Sequence, residues 1–204
     1  MPVAEQPVTG IVVLSDTIRV MKSDKTLIRT SKFLSLVLRH QPEAIGMTLD
    51  EEGWLEINEL IANANVRGKK LSLELLHEIV ATNDKKRFAL SDDGLRIRAS
   101  QGHSVTGVDL KLEETKPPEI LYHGTVAAFI ESIRSGGLQK RSRNHVHLSA
   151  DESTATRVGS RRGKPIILHV DAASMRQSEH QFYLSANGVW LVDSVPTNFL
   201  TFPK

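Results

Sequence analysis

The chain has no cysteine. That excludes disulfides, thiolate-ligated zinc and iron–sulfur clusters, and it fits a reducing compartment. No apolar run approaches membrane-spanning length, and the N-terminus, MPVAEQPVTGIVVLSD, has no basic segment ahead of a long apolar core. Both absences predict a soluble cytoplasmic protein with no membrane partner. Neither G-x-G-x-x-G nor G-x-x-x-x-G-K-[ST] occurs, so a bound nucleotide would need something other than a Rossmann crossover or a P-loop. H-E-x-x-H is missing, and no clustered carboxylates offer acid–base or metal chemistry. Repeats and low-complexity tracts are also lacking. With 204 residues, 40% apolar and 25% charged, the chain can still build one large domain or two small ones.

What is present begins with Ser31–Trp54, SKFLSLVLRHQPEAIGMTLDEEGW. Phe33, Leu34, Val37 and Leu38 recur at helical spacing, which predicts a helix over about Leu27–His40 that Pro42 stops. Arg39 and His40 fall in its last turn. They would complement the helix dipole or form an anion site. The net charge is only +2, but between Arg134 and Lys164 eight lysines and arginines face two acids, Asp151 and Glu152. Such a field suits an anionic partner, or is simply a solvated basic face.

The chain reads as two halves. Residues 1–26 form a loosely attached extension, in which Gly10–Leu14 could pair as a short strand. Residues 27–104 run helix, helix, helix, hairpin. The second helix lies near Ile57–Ala64. The third is capped by Ser72 and buries Leu75, Leu76, Ile79 and Val80. The hairpin joins Arg87–Leu90 to Leu95–Arg98 through Asp92-Asp93-Gly94. This is the winged-helix order, used for nucleic acids and for protein contacts alike. Residues 105–118, ending in Pro117-Pro118, form a stiff linker. Residues 119–204 are strand-rich and α+β. Strands are expected at Ile120–Thr125, His145–Ser149 and Pro165–Val170, with a helix at Val126–Ser135. A capping box from Ser149 to Glu152 opens a helix carrying Thr154–Arg161. A hairpin turns at Asn187-Gly188.

His145 and His147 share a strand face, and with His123 they could ligate zinc. An exposed strand face accounts for the spacing equally well. A third possibility is that His147 lines a ligand pocket with His123.

The motifs SKFLSLVLRHQPEAIGMTLDEEGW, TNDKKRF, IRASQGHS, LYHGT, HVHLS, VGSRRGKP and NGVWL occur in this order. With them the chain closely resembles the NAD-consuming RNA (tRNA) 2′-phosphotransferases, from about Ser31 onward. The resemblance implies an N-terminal winged-helix RNA lobe and a C-terminal ADP-ribosyltransferase-like NAD lobe. It implies that an internal RNA 2′-monophosphate of a tRNA-like RNA attacks the nicotinamide ribose and expels nicotinamide. The ribose 2″-hydroxyl of the RNA-2′-phospho-ADP-ribose then attacks phosphorus. The products are 2′-hydroxyl RNA and ADP-ribose 1″,2″-cyclic phosphate, with no metal, in a chain expected to act as a monomer. The family's catalytic tetrad maps to Arg39, His40, Arg87 and Arg161. Arg162 stands where many members have histidine, so an exchange of roles with Arg161 is conceivable. NAD would be held by His123, Gly124, Thr125, His147, Ser149, Asn187, Gly188 and Val189. Val189 occupies the position of a glutamate in many protein-modifying relatives of the fold, and an anionic phosphate nucleophile needs no base. The rival readings are ADP-ribosylation of terminal nucleic-acid phosphates, a winged-helix NAD sensor without turnover, and a metal hydrolase built on His123, His145 and His147.

Overall fold

In the computed structural model, residues 10–83 and 85–203 are described, with 10–23 as backbone path only. The first helix, α1, runs Gly10–Val37. It takes in Gly10–Leu14, so the short strand expected there is absent: that segment continues the helix N-terminal to the Phe33–Leu38 stripe. Residues 1–9 of the expected extension lie outside the described residues. The helix also ends before Arg39. His40 N–H and Gln41 N–H both donate to Leu36 O, at 2.9 Å each. These bonds close the end of the helix and turn the chain into a single 3₁₀ turn at Pro42–Ile45.

Next come β1 (Trp54–Glu56), α2 (Ile57–Val66) and α3 (Leu73–Thr82). Ser72 Oγ caps α3 by accepting Leu75 N–H at 3.2 Å. Of its expected apolar face, Leu76 and Ile79 are fully buried, while Leu75 and Val80 are partly buried against the same core. Strands β2 (Phe88–Leu90) and β3 (Arg96–Ala99) pair antiparallel, as the Asp-Gly turn suggests. β1 joins the far edge of β3, giving the order β1-β3-β2.

From Ala99 to Ile120 there is no helix or strand, only an isolated bridge at Glu114–Tyr183. This segment is nevertheless packed. Val108 is buried in the first core, and its carbonyl accepts Asn144 Nδ2–H at 2.8 Å. Thr115 N–H donates to Phe182 O at 2.8 Å.

The second half contains β4 (Ile120–Thr125), α4 (Ala127–Gly136), β5 (Leu138–Gln139), β6 (Val146–Leu148), α5 (Glu152–Gly159), β7 (Ile166–Asp171), α6 (Ala172–Gln177), β8 (Tyr183–Leu184), β9 (Trp190–Val192), β10 (Ser194–Val195) and β11 (Leu200–Thr201). They form three small antiparallel sheets, ordered β11-β7-β4, β6-β9-β8 and β10-β5. The protein is thus α+β, with one buried cluster around Leu34, Leu38, Leu60 and Ile97 and another around Leu121, Leu168, Met175 and Phe182.

Two local expectations are corrected. Ser149 does not cap α5. Its N–H and C=O both pair with Tyr122, at 2.8 and 2.9 Å, which holds it in extended backbone. Asp151 is the cap instead, accepting Thr154 N–H at 2.7 Å. The Asn187-Gly188 hairpin closes on Ser185 N–H to Val189 O at 3.0 Å and Gly188 N–H to Ser185 O at 2.9 Å. Gly188 alone is left-handed, with φ 77°. This is a three-residue loop rather than the two-residue turn that Asn-Gly suggests.

Candidate active site at the junction of the two halves

Arg39 leaves the end of α1 and lies beneath the backbone of Gly102, where a Cβ would come within 3.6 Å of Arg39 Nη1 and 3.7 Å of His147 Cε1. Residues from the two halves therefore meet at one point. Arg39 Nε and Nη2 are shut off from solvent and have no hydrogen-bond partner. Burial, then Arg87, then Arg143 pull its pKa down to about 10. It stays charged at neutral pH but without compensation.

Its neighbours deepen the field. The Arg87 backbone carbonyl accepts Ser100 N–H at 2.9 Å, and its Nη1 donates to Asn83 Oδ1 at 3.2 Å. The pKa of Arg87 is lowered by burial and by Arg161. Arg161 and Arg162 lie in the 3₁₀ turn Ser160–Arg162 that ends α5. Arg162 sits over the Phe129 ring at 5.7 Å and, with Arg161, lowers the pKa of Arg143, while Arg161 also acts on Arg87. Among the described residues, none of these arginines takes part in a salt bridge. Guanidinium groups gathered without carboxylates form a ready site for a multiply charged anion.

His40 is exposed, with Nδ1 2.9 Å from Ser104 Oγ. Ser104 N–H in turn donates to Arg39 O at 2.8 Å, tying both residues to the 101–104 turn. Burial, Arg39 and Arg143 lower the His40 pKa, so its ring is neutral at neutral pH.

Arg143 was counted in the basic stretch but not singled out as a site residue. Its Nη1 donates to His147 Nδ1 at 2.5 Å. Burial and Arg143 together hold His147 at about 3, so it is a neutral acceptor. The only sequence signal for Arg143 was its place in KRSRNHVH, among other exposed cations.

His123, Gly124 and Thr125 close β4 on the other side of the junction. His123 Nδ1–H donates to His147 O at 3.1 Å, leaving Nε2 as an acceptor. Burial lowers its pKa. Among the described residues, the backbones of β4 and the β6 segment pair only at the isolated Tyr122–Ser149 bridge. Tyr122 sends both backbone groups to the β6 side, so strand alternation turns those of Gly124 the same way. Gly124 thus offers an N–H and a C=O to the gap. A Cβ on Gly124 would lie 1.9 Å from Ala155 O, so only glycine lets α5 approach here. Thr125 is buried.

Asn187 is already committed. Its Nδ2 donates to Lys85 O at 3.0 Å across the two halves, and its Oδ1 accepts from Ser185 Oγ at 2.8 Å. Gly188 and Val189 complete that loop, and Ser149 is the bridge residue at the mouth of the gap. His123, His145 and His147 do not converge as a ligand set. His123 Nδ1 is spent on a carbonyl, His147 Nδ1 on Arg143, and His145 packs edge-on to Tyr183 with centroids 5.7 Å apart. Among the described residues no group of three or more His, Asp or Glu could hold a metal ion.

Comparison with known proteins gives the family. The family model described as RNA 2′-phosphotransferase, Tpt1 / KptA family, matches residues 25–194. The chain belongs to this family. A probable RNA 2′-phosphotransferase of Rhodopirellula baltica is 75% identical over 183 residues, 90% of this chain and 100% of that protein. Proteins of the same description from Flavobacterium johnsoniae and Pseudomonas aeruginosa are 57% identical over 172 residues and 55% over 176. They cover 84% and 86% of this chain, and 94% and 97% of their own length. The RNA 2′-phosphotransferase match takes in every candidate site residue named above. Among the described residues, no helix is long and apolar enough to cross a membrane.

Proposed function

We propose that this protein removes an internal 2′-monophosphate from a tRNA-like RNA by transferring it to NAD. The observation that carries this reading is the Arg39 guanidinium, buried and unpartnered among arginines, beside a strand gap that presents the backbone of Gly124. A phosphate monoester carries nearly two negative charges at pH 7 and matches the arginine cluster. A nicotinamide carboxamide needs one donor and one acceptor, which Gly124 supplies. The acceptor Nε2 of His123 suits a ribose hydroxyl.

The helices with their β1-β3-β2 sheet serve as a winged-helix RNA lobe in this reading. The split sheets of the second half serve as an ADP-ribosyltransferase-like NAD lobe. All the site residues come from one chain, which suits a monomer.

NAD contributes a ribose carbon activated by its cationic nicotinamide leaving group. Arg39 and Arg87 hold the RNA phosphate as nucleophile, already anionic, so no carboxylate is required and Val189 suffices where a glutamate might stand. In the second step negative charge gathers on phosphorus. Arg161 stabilises it from the turn after α5. His40, neutral at neutral pH, accepts the proton of the ribose 2″-hydroxyl at Nε2 when its Nδ1–H is donated to Ser104. Arg161 rather than Arg162 fills this role, because Arg161 acts on Arg87 as well as on Arg143, whereas Arg162 acts on Arg143 and sits over the Phe129 ring.

The test is incubation with an oligoribonucleotide bearing an internal 2′-phosphate, with and without NAD. Phosphate should be lost only with NAD, yielding ADP-ribose 1″,2″-cyclic phosphate. Loss without NAD, or release of inorganic phosphate, overturns the proposal.

A further inference from the structure

Beside the arginine cluster an open groove of about 860 Å³ runs between the 104–112 segment and the 140–145 loop, with Tyr183 in its wall. It is contiguous with the site at two points. Ser104, the partner of His40, and Arg143, the partner of His147, both line it. Its character differs from that of the cluster. Lys111 is paired with Asp109 at 3.0 Å, and Lys140 with Asp193. Arg141 lines the groove with no salt bridge among the described residues, and it is held in left-handed backbone at φ 53°. Tyr183 and His145 pack edge to face with centroids 5.7 Å apart. Tyr183 is half-buried and fixed by donating its hydroxyl to Gln181 Oε1 at 3.2 Å.

An unpaired guanidinium and a fixed aromatic ring lining one open channel are the combination that holds single-stranded nucleic acid. The cation takes a backbone phosphate and the ring takes a base, with little regard to its identity. We propose that this groove binds the nucleotide flanking the phosphate-bearing one, with its base on Tyr183 and its backbone phosphate on Arg141. This rests on the reading of the protein as an RNA 2′-phosphotransferase. The flanking RNA is the favoured occupant because Ser104 in the groove wall bonds His40, the residue assigned to the step at the RNA phosphate, whereas His123, Gly124 and Thr125 are not among the lining residues. An open channel also lets a polymer enter and leave, which a small co-substrate does not require.

The experiment compares a single 2′-phosphorylated nucleotide, which has no flanking nucleotide, against a hexanucleotide carrying an internal 2′-phosphate at its centre. Wild-type enzyme should show a lower KM for the hexanucleotide. Tyr183→Ala and Arg141→Ala should each raise that KM about five- to tenfold, leaving kcat, the KM of the single nucleotide and the NAD KM unchanged. Tyr183→Phe keeps the ring face and should behave as wild type, which separates stacking from misfolding. Arg141 is exposed, so its truncation leaves the fold intact. Equal KM values for both lengths in the wild type overturn the groove but not the activity, as does a variant that raises the NAD KM alone. Failure to dephosphorylate either substrate overturns both.

Discussion

His103 and His147 are held neutral by burial beside cations. His103 is 1% exposed, and its pKa is pushed down to about 4 by burial and then Arg39, while that of His147 lies near 3. In the unfolded chain both would titrate near the usual histidine value, about 6.5. A folded value below the unfolded one gives stability that is full above about pH 6.5 and is lost as pH falls toward the folded value. Lowering the pH from 6.5 to 5 should cost roughly 2 kcal/mol per histidine. Tm should therefore drop by several degrees between pH 7 and 5, and the drop should shrink in His103→Gln. A Tm independent of pH over that range would contradict this account of the pair.

The same field divides the chemistry. In the proposed mechanism His40 and Arg161 act where charge gathers on phosphorus, so His40→Ala and Arg161→Ala should slow the second step more than the first. A loss of about 3–4 kcal/mol is expected, roughly a hundred- to thousand-fold in rate. The RNA-2′-phospho-ADP-ribose intermediate should then appear as a slower-migrating band in single-turnover assays. If both variants lose the first step equally and no such band forms, the division of labour is wrong. Arg39, His40, Arg87 and Arg161 are candidates through the motif resemblance, and the fold brings their surroundings together at the junction. Arg143 could not be found that way, since its importance comes from a contact with His147 that only the folded 140–147 loop creates.

At the scale of elements, α5 and β4 are the critical pair. A Cβ at residue 124 would stand 1.9 Å from Ala155 O, and backbone cannot yield as a side-chain tip can. Gly124→Ala should displace α5 and with it Arg161, costing at least about 1–3 kcal/mol by overpacking together with most of the activity. Unchanged Tm and rate would show that α5 shifts freely. The strands β2, β3, β4 and β7 were legible from alternation and turn residues, and α3 from its cap and apolar spacing. β1 was not, because three residues carry too little pattern and its pairing with β3 is non-local. The α5 cap was misread because Ser149 and Glu152 match a capping box, while the bridge to Tyr122 takes Ser149 into the sheet. The sequence places the start of α1 at about Leu27, a little ahead of the Phe33–Leu38 stripe, yet its helical backbone begins at Gly10.

At the scale of the molecule, two cores meet across hydrogen bonds: Asn187 to Lys85, Asn144 to Val108, and Asn144 N–H to His103 O at 3.1 Å. These bonds hold Arg39 and Arg87 of one half against Arg143 and Arg161 of the other, at the expense of mutual repulsion. RNA binding should accordingly weaken with salt, with a log–log slope of roughly −0.7 per phosphate contacted. Base preference around the junction should be slight, since guanidinium groups address phosphate. Strong selection for one sequence would contradict that. The change from helical to strand-rich pattern in the sequence runs parallel to the two buried clusters. The docking of the halves was not legible there, because the asparagines that join them carry no periodic signal.

On the proposed reading the arginine cluster around the buried Arg39 Nε and Nη2 is completed by the RNA 2′-phosphate. The most direct measurement is the affinity, without NAD, of one oligoribonucleotide with and without an internal 2′-phosphate. The phosphorylated RNA should bind about ten- to a hundredfold tighter, as charge-assisted hydrogen bonds of this kind imply, and the Arg39→Gln, Arg87→Gln double variant should lose that difference. Equal affinity of the two RNAs for the wild-type protein would contradict the account.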